Sequence, residues 1–223
     1  MPSKQHKLEN LIKRLVLISG KGQNPYNEQY YILSLNHDEE TLYLSPEMRS
    51  AMRHYEFTKL TAGDPMFFKN GYRDEDFAKG VKRPIKKAHM AINYPIIDDE
   101  IKRELGEVDN EFFQLYPAVI VDDEQNYHEG FWVFNIFEYM DVLNLEECLI
   151  NNYKPGEDEY AIKRYSLCKQ KMQTIPENER LVFMPEYSDF PHVMVHEKIV
   201  KVFKELKVDT LNFVKVSDCV NLP

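Results

Sequence analysis

His192 and His196 stand four residues apart, a spacing that on a helix would put two imidazoles on one face and suit a metal ion. The residues between them, Val193-Met194-Val195, read instead as a strand, and Glu197 falls outside the His-Glu-x-x-His order, so no metal site is expected. Cys148, Cys168 and Cys219 are odd in number and widely spaced, which points to neither a disulfide framework nor a zinc knuckle. Free thiols of this kind suit a reducing cytoplasm. Cys148 and Cys219 read as small buried hydrophobes rather than nucleophiles. The chain holds no dinucleotide fingerprint, phosphate loop or serine elbow, so the sequence implies no cofactor and no catalytic residue.

Carboxylates are abundant, in the runs Asp38-Glu39-Glu40, Asp74-Glu75-Asp76, Asp98-Asp99-Glu100, Asp122-Asp123-Glu124 and Glu157-Asp158-Glu159. A paired-acid hydrolase needs two carboxyl groups at a fixed separation in a cleft, and runs of this type serve first as solvated turns and helix starts. One run stands apart. Asp122, Asp123 and Glu124 are followed by Tyr127, giving an acidic loop with an aromatic anchor that could imitate a phosphate backbone or cover a basic active site. These four residues are the candidate partner-binding site. The main basic cluster, Lys79, Lys82, Arg83, Lys86 and Lys87, has only Phe77 as an aromatic neighbour, a thin basis for base stacking, and reads as a solvated loop. A formal net charge of -9 disfavours nucleic acid and favours a basic protein partner. The longest apolar stretch near the start, Leu15-Val16-Leu17-Ile18, is far short of a membrane span, so no membrane insertion is expected.

These residues must be held by strands and short helices. Tyr and Phe number 14 and 13 against one Trp, a bias toward sheet. Ser3–Ile18 has the apolar spacing of an amphipathic helix. Tyr30–Leu35 and Thr41–Leu44 read as a hairpin, and Ser45-Pro46-Glu47 as a helix start. Met66–Phe68 reads as strand and 70–84 as an irregular excursion. Pro95–Ile97 is a short strand, Asp98-Asp99-Glu100 starts a helix, and Phe112–Val121 and Gly130–Ile136 are strands, the second of them central. Arg164–Leu167 and Leu181–Met184 suggest a strand pair. Val193–Val195, His196–Leu206 and Thr210–Val216 close the chain as strand, helix and strand.

Two of these stretches echo one another. Ile97–Ile101 aligns with Val195–Ile199 at an offset of 98, and at that offset Phe113 meets Leu211 and Leu115 meets Phe213. Tyr30–Leu35 echoes Phe131–Ile136 in the same way. The expected fold class is α+β, a twisted, mainly antiparallel sheet with short amphipathic helices. The chain reads as one body, 1–223, with two similar halves, 1–122 and 123–223, as its internal division.

The stretch PIIDDEIKRELGEVDNEFFQLYPAVIVDDEQNYHEGFWVFNIFEYMDVLNLEE, from Pro95 to Glu147, and the tail HVMVHEKIVKVFKELKVDTLNFVKVSD resemble a family of bacterial immunity proteins found beside polymorphic and contact-delivered toxins. The family was long catalogued as a domain of unknown function. The resemblance covers about half the chain, concentrated after residue 90, and rests on apolar and acidic patterning. It implies a non-enzymatic cytoplasmic protein that binds and neutralises a cognate toxin by occlusion, without turnover, and it carries over no catalytic residue. The competing readings are a hydrolase whose site is assembled from scattered acids and His, and an adaptor that binds an effector for delivery.

Overall fold

Turns led by proline, glycine and acids cut this chain into short elements, and alternation within the strands decides which way each faces. In the computed structural model, which describes residues 24–219 apart from 37, 39, 57, 62, 152, 153 and 155, these elements build two β bodies. The helix expected over Ser3–Ile18 lies outside the described residues. The chain opens with α1 (Pro25–Gln29), capped by the Asn24 side chain, and β1 (Tyr30–Leu35). It then enters the first body through β2 (Tyr43–Pro46), α2 (Met48–Ala51), β3 (Met66–Asn70), α3 (Arg73–Lys79), β4 (Ala88–Ala91), β5 (Tyr94–Asp98), α4 (Asp99–Leu105), β6 (Phe113–Val121) and β7 (Tyr127–Ile136). The second body follows with β8 (Tyr139–Met140), β9 (Leu149–Ile150), β10 (Ile162–Arg164), α5 (Lys169–Thr174), β11 (Val182–Pro185), β12 (Met194–His196), α6 (Glu197–Glu205) and β13 (Leu211–Lys215).

The first body is a closed six-stranded barrel, ordered β2-β3-β6-β7-β5-β4, and the second a five-stranded sheet, β13-β1-β12-β11-β8, with β9 and β10 paired beside it. Most pairings are antiparallel. The parallel ones are β2 with β4, which closes the barrel, β3 with β6 within it, and β8 with β11 at one edge of the sheet. The fold is α+β.

The hairpin expected between Tyr30–Leu35 and Thr41–Leu44 does not form. β1 is a central strand, with Tyr30 and Ile32 in one apolar cluster and Leu33 in another, so both faces are covered and it pairs with β12 and β13 instead. Nor do the strands near 164 and 182 pair: β10 joins β9, while β11 joins β12 and β8. The excursion at 70–84 contains a helix, α3, ended by Gly80 in the left-handed region.

The internal echo corresponds to matching pairings. β7 lies between β5 and β6, with Ile97 opposite Trp132 and Phe113 opposite Ile136. β1 lies between β12 and β13 in the same register, with Val195 opposite Tyr31 and Leu211 opposite Leu35. The order β6-β7-β5-β4-β2 in the barrel repeats as β13-β1-β12-β11-β8 in the sheet, and β3 is the added strand that closes the barrel. Segments 1–122 and 123–223 therefore do not fold side by side. The first described strand of each is inserted into the sheet of the other.

The helices that follow β5 and β12 start alike. Asp98 caps α4 by accepting from the Ile101 N–H at 2.9 Å, and His196 caps α6 by accepting from the Lys198 N–H at 3.3 Å. α6 buries Ile199, Val200 and Phe203 toward the core shared with the barrel.

Candidate functional site

The β6–β7 connection carries the acidic run. Its geometry follows from Asp122, whose main chain closes the turn with Asn126 and whose carboxylate accepts from the Asn126 N–H (2.8 Å) and Nδ2 (2.9 Å). His128 Nε2 lies 2.9 Å from the same carboxylate. The bonds from His128 and then Asn126 hold the Asp122 carboxyl well below the usual carboxylate range. Gln125 takes the positive φ of 67° that the tight turn requires.

Each carboxylate of the run is engaged by the protein itself. Asp123 accepts from Asn70 Nδ2 at 3.3 Å and faces Arg73 Nε at 3.7 Å. Glu124 meets Lys82 Nζ at 2.5 Å, which lowers the glutamate's pKa and raises the lysine's. The structure also divides the four predicted residues between two sides. Glu124 borders a cleft of about 190 Å³ with Leu42, Arg83, Ile85 and His128. Asp122 and Asp123 border both that cleft and another of about 410 Å³ on the outer barrel wall, shared with Met48, Arg49, Lys69 and Arg73.

Tyr127, 61% exposed, belongs to that wall. Its ring stands edge-on to Phe67 with centroids 6.2 Å apart, and the Arg49 guanidinium lies 3.3 Å above the Phe67 ring. Met48 is 76% exposed beside them. Arg49, Phe67, Arg73 and Met48 were missed by sequence reasoning. One signal was present: in β3, Met66 and Phe68 point inward, so period-two alternation turns Phe67 out.

The basic cluster is matched internally, residue by residue. Lys79 pairs with Glu75, Lys82 with Glu124, Lys86 with Asp209 and Lys87 with Glu100. Arg83 makes a two-pronged bond to the buried Asp76, Nε to Oδ2 at 2.8 Å and Nη2 to Oδ1 at 3.0 Å. The guanidinium of Arg83, followed by the Asn70 amide, lowers the Asp76 pKa. This pair closes the 70–84 excursion on itself, while Asn70 at the end of β3 donates to Asp76 Oδ2 (3.0 Å) and Arg83 Nη1 donates to the Thr41 carbonyl (3.2 Å), tying it to its surroundings.

His89, His192 and His196 serve as structural groups. His89, fully buried on β4, accepts from the Lys86 N–H at Nε2 (2.9 Å) and faces the Leu42 carbonyl at Nδ1 (3.2 Å), and burial pushes its pKa down to about 4. His192 Nδ1 lies 3.4 Å from the Tyr165 hydroxyl, while His196 caps α6, so the pair does not converge. Among the described residues no group of three or more His, Cys, Asp or Glu is placed to hold a metal ion. Burial also pushes the Cys148 thiol up to about 11, away from thiolate reactivity. No helix among the described residues is long and apolar enough to cross a membrane.

No protein-family model matches this chain, and no curated protein is significantly similar to it in sequence.

Proposed function

We propose that this chain is an immunity protein that binds a cognate bacterial toxin in the cytoplasm and neutralises it by occlusion, without turnover. The observation that carries the binding reading is the wall formed by Tyr127, Phe67 and Arg49. Rings and a guanidinium are already stacked there in the free chain, and Tyr and Arg are the side chains on which interface energy concentrates. Pre-stacked groups lose little freedom on docking, which favours affinity. The adjoining acids, Asp122 and Asp123, would speed the approach of a basic partner. The toxin as partner comes from the resemblance of residues 95–147 to immunity proteins.

The pair Asp122–His128 favours a second reading, because a carboxylate oriented on an imidazole beside a cleft is how hydrolases position a base. It ranks below the first. Among the described residues the cleft is lined by no Ser, Thr or Cys, and Asn126 already occupies both oxygens of Asp122.

Co-expression with the product of the neighbouring gene tests the proposal, scored for growth and for co-purification. Rescue of growth with a stable one-to-one complex is expected. A complex without rescue would favour an effector adaptor, and neither rescue nor complex would remove that neighbour as the toxin.

A further inference from the structure

Sulfur is distributed unevenly over this chain. Met66, Met90, Met140, Met172, Met184 and Met194 are each 4% exposed or less, whereas Met48 and Met52 are 76% and 71% exposed. Burial raises the thiol pKa values of Cys148 and Cys219. Cys168 is half-buried, and its thiol donates to Gln170 Oε1 at 3.4 Å. Among the described residues, the most exposed sulfur-bearing side chains are therefore Met48 and Met52, at the two ends of α2.

Their exposure follows from how α2 is fixed. The Glu47 N–H donates to the Phe67 carbonyl at 2.8 Å, and the Phe67 N–H donates to Ser50 Oγ at 2.6 Å. Ser50, almost fully buried, thus faces β3. Residues two apart on a helix point about 200° apart. Met48 and Met52 stand two residues either side of Ser50, so they turn away from it and, four apart, share the outer face. Met52 keeps helical dihedrals as the C-cap, and its N–H donates to the Met48 carbonyl at 3.0 Å. The same bonds attach α2 to Phe67, whose ring carries Arg49 and meets Tyr127. Met48 also lines the cleft of that wall, with Asp122 and Asp123.

We infer that Met48 and Met52 form a reversible oxidation site, at which hydrogen peroxide converts each thioether to the sulfoxide and so weakens docking on the wall of Tyr127, Phe67 and Arg49. A sulfur lone pair attacks one peroxide oxygen, the O–O bond breaks, and after proton transfer the other oxygen leaves as water. Sulfur is oxidised by two electrons and the peroxide is reduced by two. The product is polar where the thioether was apolar, so it loses the contact that an apolar group of a partner would make with it. Methionine sulfoxide reductases restore the thioether. That the wall docks a toxin rests on the function proposed above, whereas the choice of methionines rests on exposure alone.

Peptide mass mapping of the full chain after dilute hydrogen peroxide, with titration calorimetry against the neighbouring gene product before and after, tests this. Met48 and Met52 are expected to gain oxygen about ten-fold faster than the buried methionines, or more. The oxidised chain is expected to bind about ten-fold more weakly with its unfolding midpoint kept, and reductase treatment to return the affinity. Met48→Leu/Met52→Leu keeps an apolar face without an oxidisable sulfur, and compared with itself it should hold its affinity through peroxide. Buried methionines that oxidise as fast, an oxidised parent that binds as before or has a lowered midpoint, or an equal loss in the leucine variant would each overturn the inference, while the immunity reading stands. If no complex forms, the immunity reading fails and the mapping decides. Oxygen confined to Met48 and Met52 then supports the modification site, and oxygen spread evenly over all the methionines overturns it.

Discussion

His89 allows a prediction whose size follows from its surroundings. The ring is sealed on β4 between two main-chain groups, accepting from the Lys86 N–H and facing the Leu42 carbonyl, and burial lowers its pKa from 6.5 to about 4. In the unfolded chain the same imidazole titrates near its ordinary value. Between those two values the unfolded state binds a proton that the folded state refuses. Stability from this site is thus fully present above about pH 6.5 and is lost as pH falls toward 4, at up to about 1.4 kcal/mol per pH unit. Across the window the loss comes to about 3 kcal/mol. Urea unfolding of the parent and of His89→Gln, measured from pH 7.5 to pH 4, isolates the effect, because every other titrating group is common to both. The parent's stability should fall relative to the variant's by about 3 kcal/mol over that range. A difference that stays flat with pH would refute the reasoning, since it would mean that the ring takes a proton without leaving its two main-chain partners.

Other outcomes follow from the packing. Leu33→Ala empties a position buried on the barrel-side face of β1 and should cost about 2–5 kcal/mol, read as a lower urea midpoint with an unchanged slope. Arg83→Ala leaves the Asp76 carboxylate buried without its main partner and should cost about 3–5 kcal/mol, whereas Arg83→Ala/Asp76→Asn should recover much of that loss. Because the Asp76 pKa is depressed in the fold, its contribution is present above the ordinary carboxylate pKa and disappears as pH falls through the folded value, so the two midpoints should converge in acid. Phe77→Ser, at a side chain 89% exposed on α3, should leave stability within about 0.5 kcal/mol by the same assay.

Much of the two strand–helix–strand units could be read from the chain because their signals are local. Acids at the start of α4 and the i, i+3, i+4 spacing of Ile199, Val200 and Phe203 in α6 place those helices within a residue or two of where they lie. The pairing partners were not legible. Tyr30–Leu35 has the composition of a hairpin arm, but whether it pairs with the next strand or with strands near the other end of the chain, β12 and β13, depends on what covers its two faces. β4, Ala88–Ala91, is four residues long and holds no β-branched residue, Tyr, Phe or Trp to announce a strand, and α3 was hidden among mixed charges. The acidic turn shows the same limit at the site. Asp122, Asp123, Glu124 and Tyr127 are adjacent in sequence, yet Glu124 turns to Lys82 while Tyr127 turns to Phe67. Arg49 and Phe67 meet Tyr127 only because β3 runs alongside β6 in the barrel.

Titration calorimetry of the purified chain against the product of its neighbouring gene, for the parent and for Tyr127→Ala and Arg49→Ala, tests the binding surface most directly. A one-to-one complex is expected for the parent, with each substitution weakening it by about 2 kcal/mol, roughly thirty-fold, while the unfolding midpoint is kept. Unchanged affinity in both variants, or steady heat of turnover in place of saturable binding, would contradict a toxin-blocking surface built on Tyr127, Phe67 and Arg49.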